Sequence, residues 1–141
     1  MPHPHIEKTY QTIINTSVSK LWNALIDPDQ VKQYFFGTQQ ASSFAVGSPI
    51  TWQGEFDGKT YLDKGVILDF QPEKRLAYSY ISSWIVMEDI PENYLTVCFS
   101  IQPTEDHVVL LIRFTSYDEA RAEQSEKSWE MIVNQLKALV E

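Results

Sequence analysis

The stretch SYDEARAEQSEKSWEMIVNQLKALVE, residues 116–141, decides the fold. Trp129, Ile132, Val133, Leu136, Leu139 and Val140 recur at intervals of three and four, so they lie along one face of an α-helix. A stripe of that width belongs to a helix that buries one face and leaves the other in water. Ser116 followed three residues later by Glu119 predicts where the helix begins, in a capping-box pattern. Extended backwards, the same face reaches Ser125 and Ala122, which are small. The helix is bulky at its tail and slim at its head.

The partner of that face is written in the residues upstream. From Gln39 to Thr115 the chain alternates in the manner of strands. Ile50, Trp52, Gly54 and Phe56 share one side, and Asp57-Gly58 then supplies the two positive-φ positions of a tight hairpin turn. The next strand runs to Phe70, with Val66, Leu68 and Phe70 expected on one face, and Pro72-Glu73-Lys74 turns the chain back. Leu76, Tyr78, Tyr80, Ser82 and Trp84 share a face in the strand that follows. Leu95, Val97, Phe99 and Ile101 alternate with Thr96, Cys98 and Ser100, and a last strand covers Val108 to Phe114. With a first strand over Ile6 to Ile14, about seven strands result, joined mostly by short turns and hence largely antiparallel.

Between the first strand and the rest the period changes. Val18, Leu21, Trp22 and Leu25 mark a short amphipathic helix from Ser17 that stops at Asp27, because the residue before Pro28 is pushed out of the α region. Asp27 then caps a second helix, with Pro28 at its first position and Gln30 completing a capping box. Val31, Tyr34 and Phe35 form its apolar stripe, and Gly37 ends it.

The class this predicts is α+β, one domain over residues 1–141, with a curved antiparallel sheet against a long C-terminal helix and two short helices after the first strand. Hydrophobic residues at 43% and charged residues at 21% fit a globular core. Nineteen acidic against eleven basic side chains give a net charge of −8, a field that repels nucleic-acid phosphates and anionic lipid headgroups. Neither is expected as a partner. The opening Met1-Pro2-His3-Pro4-His5 has no secretory pattern, and Cys98 is the only cysteine, so the expected setting is the cytoplasm.

The two ends of the helix also frame a function. Trp52, Tyr78, Tyr80, Trp84 and Phe99 make an aromatic wall opposite Ala122, Ser125 and Trp129. Residues alone leave two packings open, one with a cavity beside the slim helix head and one in which the rings interdigitate and close it.

The segment Val18-x-x-Leu21-Trp22-x-Ala24-Leu25-x-Asp27-Pro28, with Tyr34-Phe35 behind it, resembles the opening of the START-like, or SRPBCC, superfamily. Gly47-Ser48, Trp52-x-Gly54, Gly65-Val66, Pro72-x-x-Arg75-Leu76 and Trp129 with Leu136 and Leu139 look like the branch named for the activator of the heat-shock chaperone's ATPase. The resemblance covers about residue 6 to the end. It implies the helix-grip fold and a deep pocket between sheet and final helix, used elsewhere in the superfamily for lipids, hormones and polyketides. The chaperone activators carry a further N-terminal domain that this sequence lacks, so co-chaperone activity is not expected.

Three functions follow as rivals. The leading one is binding of a small apolar or aromatic molecule by Trp52, Tyr78, Tyr80, Trp84, Phe99, Ala122, Ser125 and Trp129, with tyrosine hydroxyls orienting a polar group. The second is an enzyme of the cyclase or hydrolase type, which needs an ionisable residue inside the pocket. The third is an interaction module or homodimer using the apolar loop from Ile85 to Ile90 or the outer face at Val109 and Leu111.

Catalytic and metal chemistry lack their usual parts. His3, His5 and His107 do not make a ligand set, Cys98 should point outward with no base nearby, and no catalytic residue, cofactor or metal is expected. Glu88, Asp89 and Glu92 on a loop read as solvated, and Arg113 as an outward ion-pair partner.

Overall fold

The computed structural model describes residues 6–83 and 87–141. Its elements in chain order are β1 (Ile6–Ile14), α1 (Val18–Ile26), α2 (Pro28–Tyr34), β2 (Gln39–Ser42), β3 (Pro49–Phe56), β4 (Lys59–Gln71) and β5 (Arg75–Tyr80). A 3₁₀ turn (Pro91–Asn93), β6 (Leu95–Pro103), β7 (Val108–Ser116) and α3 (Glu119–Val140) complete them. The seven strands form an antiparallel sheet in the order β1-β7-β6-β5-β4-β3-β2, the curved sheet and long terminal helix of a helix-grip fold. α3 lies on its inner face, and Ile132, Val133, Leu136 and Val140 are buried there with Leu110 and Ile112 of β7.

Local chemistry fixes the joints. Ser17 caps α1 by accepting from the Lys20 amide at 3.2 Å. Asp27 ends α1 and begins α2, its carboxylate accepting from the Asp29 amide at 3.0 Å and from Gln30 Nε2 at 3.2 Å. Gln30 therefore closes the cap through the side chain, because the Asp27 N–H is already donated to the Asn23 carbonyl in α1. Asp57 and Gly58 take φ of 53° and 77°, the pair of left-handed conformations that a two-residue hairpin turn requires.

Two local expectations are corrected. Asp118, not Ser116, caps α3, accepting from the Arg121 amide at 2.8 Å. Ser116 is held in β7 by pairing with Ile6, and the carboxylate two residues on also favours the positive end of the helix dipole. In β4, Val66 and Leu68 face solvent, at 40% and 46% exposure, while Ile67 is buried at 1%. Ile67 pairs with Tyr78 but Asp69 pairs with Ala77, so Leu68 is the extra residue of a bulge. After it the faces exchange, and Phe70 returns inward against Trp22 and Phe44, with ring centroids 5.4 and 5.6 Å away. A period of two cannot survive an inserted residue.

Gly65 sits where β4 presses closest on β5. A Cβ there would lie 1.6 Å from the Ser79 carbonyl oxygen.

Candidate functional site

The site forms where the sheet's aromatic wall meets the middle of α3. Trp52 and Tyr78 are 4.7 Å apart between ring centroids, Tyr78 and Phe99 6.1 Å, and Phe99 and Trp129 5.6 Å. Tyr80 joins the edge of this chain, 6.1 Å from Trp52 and 6.4 Å from Tyr78. Phe35, at the end of α2, meets Trp129 edge-on at 6.3 Å. Each such contact adds roughly 0.5–1.5 kcal/mol beyond burial, and together they link β3, β5, β6 and both helices.

These rings nearly close the space. A void of about 10 Å³ remains, bordered by Tyr34, Gln40, Tyr78, Phe99, Trp129 and Val133 among others. That is room for about one water. The expectation of a ligand-sized hollow beside the slim helix head is thus corrected. Ala122 is fully buried but does not border the void, and Ser125 is half-buried away from it. Small side chains let the head of α3 settle close to β1, where Lys8 Nζ lies 3.0 Å from Glu119, instead of holding space open. The void falls further along, beside Trp129. Of the expected wall, Tyr78, Phe99 and Trp129 border it, Trp52 and Tyr80 stand behind them, and Trp84 lies outside the described residues.

The polar members of the site were not among the expected ones. α1 ends at Ile26 and leaves the carbonyls of its last turn without intrahelical donors. The Tyr34 hydroxyl donates to the Ala24 carbonyl at 2.8 Å, and Gln40 Nε2 donates to that of Leu25 at 3.0 Å. Gln40 Oε1 in turn accepts from Trp52 Nε1 at 2.9 Å. Tyr34 could be read only as a core ring on the α2 stripe, and nothing in Gln39-Gln40 says which glutamine turns inward. The usable signal was a helix end capped at Asp27, whose buried carbonyls demand donors from elsewhere.

The Tyr78 hydroxyl has no such use: it makes no hydrogen bond to a described residue. Burial pushes the Tyr34, Tyr78 and Tyr80 hydroxyls far above the ordinary tyrosine pKa, so all three stay protonated. No carboxylate, histidine, lysine or arginine borders the void.

The remaining candidates lie elsewhere. Cys98 faces outward and accepts from Arg75 Nε at 3.2 Å, and Arg113 faces outward 3.6 Å from Glu7. Among the described residues no three His, Cys, Asp or Glu side chains gather to hold a metal, and His3 and His5 lie outside those residues. Of the loop from Ile85 to Ile90, Ile85 and Val86 lie outside the described residues, and Met87 to Ile90 lead without regular structure into the 3₁₀ turn. Asp89 there pairs with Lys64 at 2.6 Å and accepts from the Tyr94 hydroxyl at 2.6 Å, contacts that hold its carboxyl below the usual range. The Tyr117 hydroxyl ties the same loop to the β7–α3 junction by donating to the Asn93 carbonyl at 2.6 Å. No helix among the described residues is long and apolar enough to cross a membrane.

A curved sheet gripping a terminal helix around an aromatic junction defines a START-like domain. The chain belongs to the family of activator of Hsp90 ATPase homolog 1-like proteins, whose model matches residues 15–141. It is similar to ChR145 from Cytophaga hutchinsonii, with 34% identity, a TM-score of 0.84, and 96% of this chain and 94% of that one covered. The fold is shared with the Aha1 dimer from Colwellia psychrerythraea, at 16% identity, a TM-score of 0.75 and 97% coverage of both chains. CalU16 from Micromonospora echinospora has it as well, at 20% identity and a TM-score of 0.73, with 92% of this chain and 73% of that one covered. A comparison with curated proteins gave no match.

Proposed function

We propose that this protein binds a small apolar or aromatic molecule at the junction of Tyr78, Phe99 and Trp129. The observation that carries this reading is a neutral void bordered by Phe35, Tyr78, Phe99 and Trp129, with a Tyr78 hydroxyl that has no hydrogen-bond partner among the described residues. At about 10 Å³ the resting site holds no such ligand, so binding requires α2 and α3 to part along the Phe35–Trp129 contact. Ring-on-ring contacts suit that motion, since a flat aromatic guest replaces the contacts it breaks. Titrating apolar aromatic probes while following tryptophan fluorescence tests it: a saturable response is expected, and silence from every probe contradicts it. The cyclase or hydrolase alternative has less support, because the lining offers no titratable group but tyrosine. The proposed setting is the cytoplasm, in keeping with the lone Cys98.

A second reading is self-association through the outer sheet face. It is supported by Leu62, Val66 and Leu68, apolar side chains exposed on one side of β4 around Lys64, and by the solved dimer of the Colwellia relative. Val109 and Leu111, on the same outer face, are half-buried and offer less surface. Light scattering on the eluting protein distinguishes the cases, and a monomer throughout removes this reading.

A further inference from the structure

Tyr78 is 4% exposed and borders the void, yet its hydroxyl finds no hydrogen-bond partner among the described residues. The fully sealed side-chain atoms in that condition are Thr16 Oγ1 and Asn93 Oδ1. Tyr78 Oη is not one of them, and its residue borders the water-sized void. A phenylalanine would fill the same wall without a hydroxyl to strip of water, and leaving such a group unpaired has a cost. The neighbouring polar groups are committed. Tyr34 spends its donor on the Ala24 carbonyl and Gln40 one of its two N–H groups on that of Leu25, while the Tyr78 hydroxyl is the donor of the lining with no partner among the described residues.

Charge narrows the ligand further. The lining carries no cation, and the chain as a whole is at −8, so a carboxylate or phosphate would enter without a counter-charge. The tyrosine, kept protonated by burial, is suited to donate to a neutral oxygen. We infer that Tyr78 is the specificity-determining residue of this site, and that its hydroxyl donates to the carbonyl oxygen of an uncharged aromatic ligand. This rests on the binding function proposed above and adds the chemistry of the ligand's polar end.

Calorimetric titration of the whole protein and of Tyr78→Phe with 2-acetylnaphthalene, 2-ethylnaphthalene and 2-naphthoate separates the two claims. For the acetyl probe the substitution should weaken binding about tenfold, the value of one hydrogen bond. The ethyl probe has the same shape and no oxygen, and its affinity should be the same in both proteins. Naphthoate should bind the unaltered protein at least about tenfold more weakly than the acetyl probe, since its charge goes unpaired. If neither neutral probe binds, the ligand site itself is wrong and the anchor falls with it. Should both neutral probes bind the two proteins equally, the site stands and the role of Tyr78 is overturned. Naphthoate binding as tightly as the acetyl compound overturns the neutral class. Thermal melts of both proteins establish that the comparison is between folded species.

Discussion

Two regions border the same void and treat their polar groups in opposite ways. At the α1–α2 corner three buried side chains donate to acceptors: Tyr34 to Ala24, Gln40 to Leu25, Trp52 to Gln40. On the β5 wall Tyr78 is as buried as Tyr34, and its hydroxyl meets no acceptor among the described residues. The corner is built for stability, since its bonds repair a helix end that would otherwise leave carbonyls stranded. The wall carries a hydroxyl without a partner among the described residues, and the proposed ligand contact rests on that group.

Substitutions can break or sharpen that contrast. The largest effect belongs to neither region but to the tail of α3 that supports both. Leu136→Ala should cost about 2–5 kcal/mol in denaturant unfolding, as for other buried leucines. Tyr34→Phe should cost about 1–3 kcal/mol, because it strands the Ala24 carbonyl in a buried place. Asp118→Ala, which removes the true cap of α3, should cost about 1 kcal/mol, whereas Ser116→Ala should not lengthen or shorten the helix. Tyr78→Phe should cost nothing and should raise stability by up to about 1 kcal/mol, since it removes a buried hydroxyl with no partner among the described residues. A loss at Tyr78 as large as that at Tyr34 would mean that the two regions are alike after all.

Alkaline unfolding sharpens the contrast in another way. Folding raises the pKa of Tyr34 and Tyr78 above the unfolded value, so their contribution is fully present below about pH 10 and is lost as pH rises toward the folded values. Stability should be flat to about pH 9 and then fall by up to ~1.4 kcal/mol per pH unit for each buried tyrosine. Tyr78→Phe should make the fall shallower, and an unchanged slope would show that Tyr78 ionises in the folded state as it does in water.

Much of this was legible in the residues. The 3.6-residue stripe from Trp129 to Val140, the shared cap at Asp27 and the Asp57-Gly58 turn are local features, each fixed by backbone chemistry within a few positions. The bulge at Leu68 was not, because alternation reads the same on either side of an inserted residue until pairing with β5 fixes the register. Half of the site followed a similar course. Tyr78, Phe99 and Trp129 could be placed by period alone, while Gln40 could not, since its inward turn depends on where a different helix ends. The small residues Ala122 and Ser125 misled for a physical reason: a slim helix face permits close approach as readily as it leaves a gap.

The most direct measurement is a map of amide and indole shifts on adding 2-ethylnaphthalene to the ¹⁵N-labelled protein. Perturbation centred on Tyr78, Phe99 and the Trp129 indole, with β4 residues Leu62 to Leu68 unmoved, is what a ligand site at the aromatic junction predicts. Shifts confined to that outer strand, or none at saturation, would contradict it.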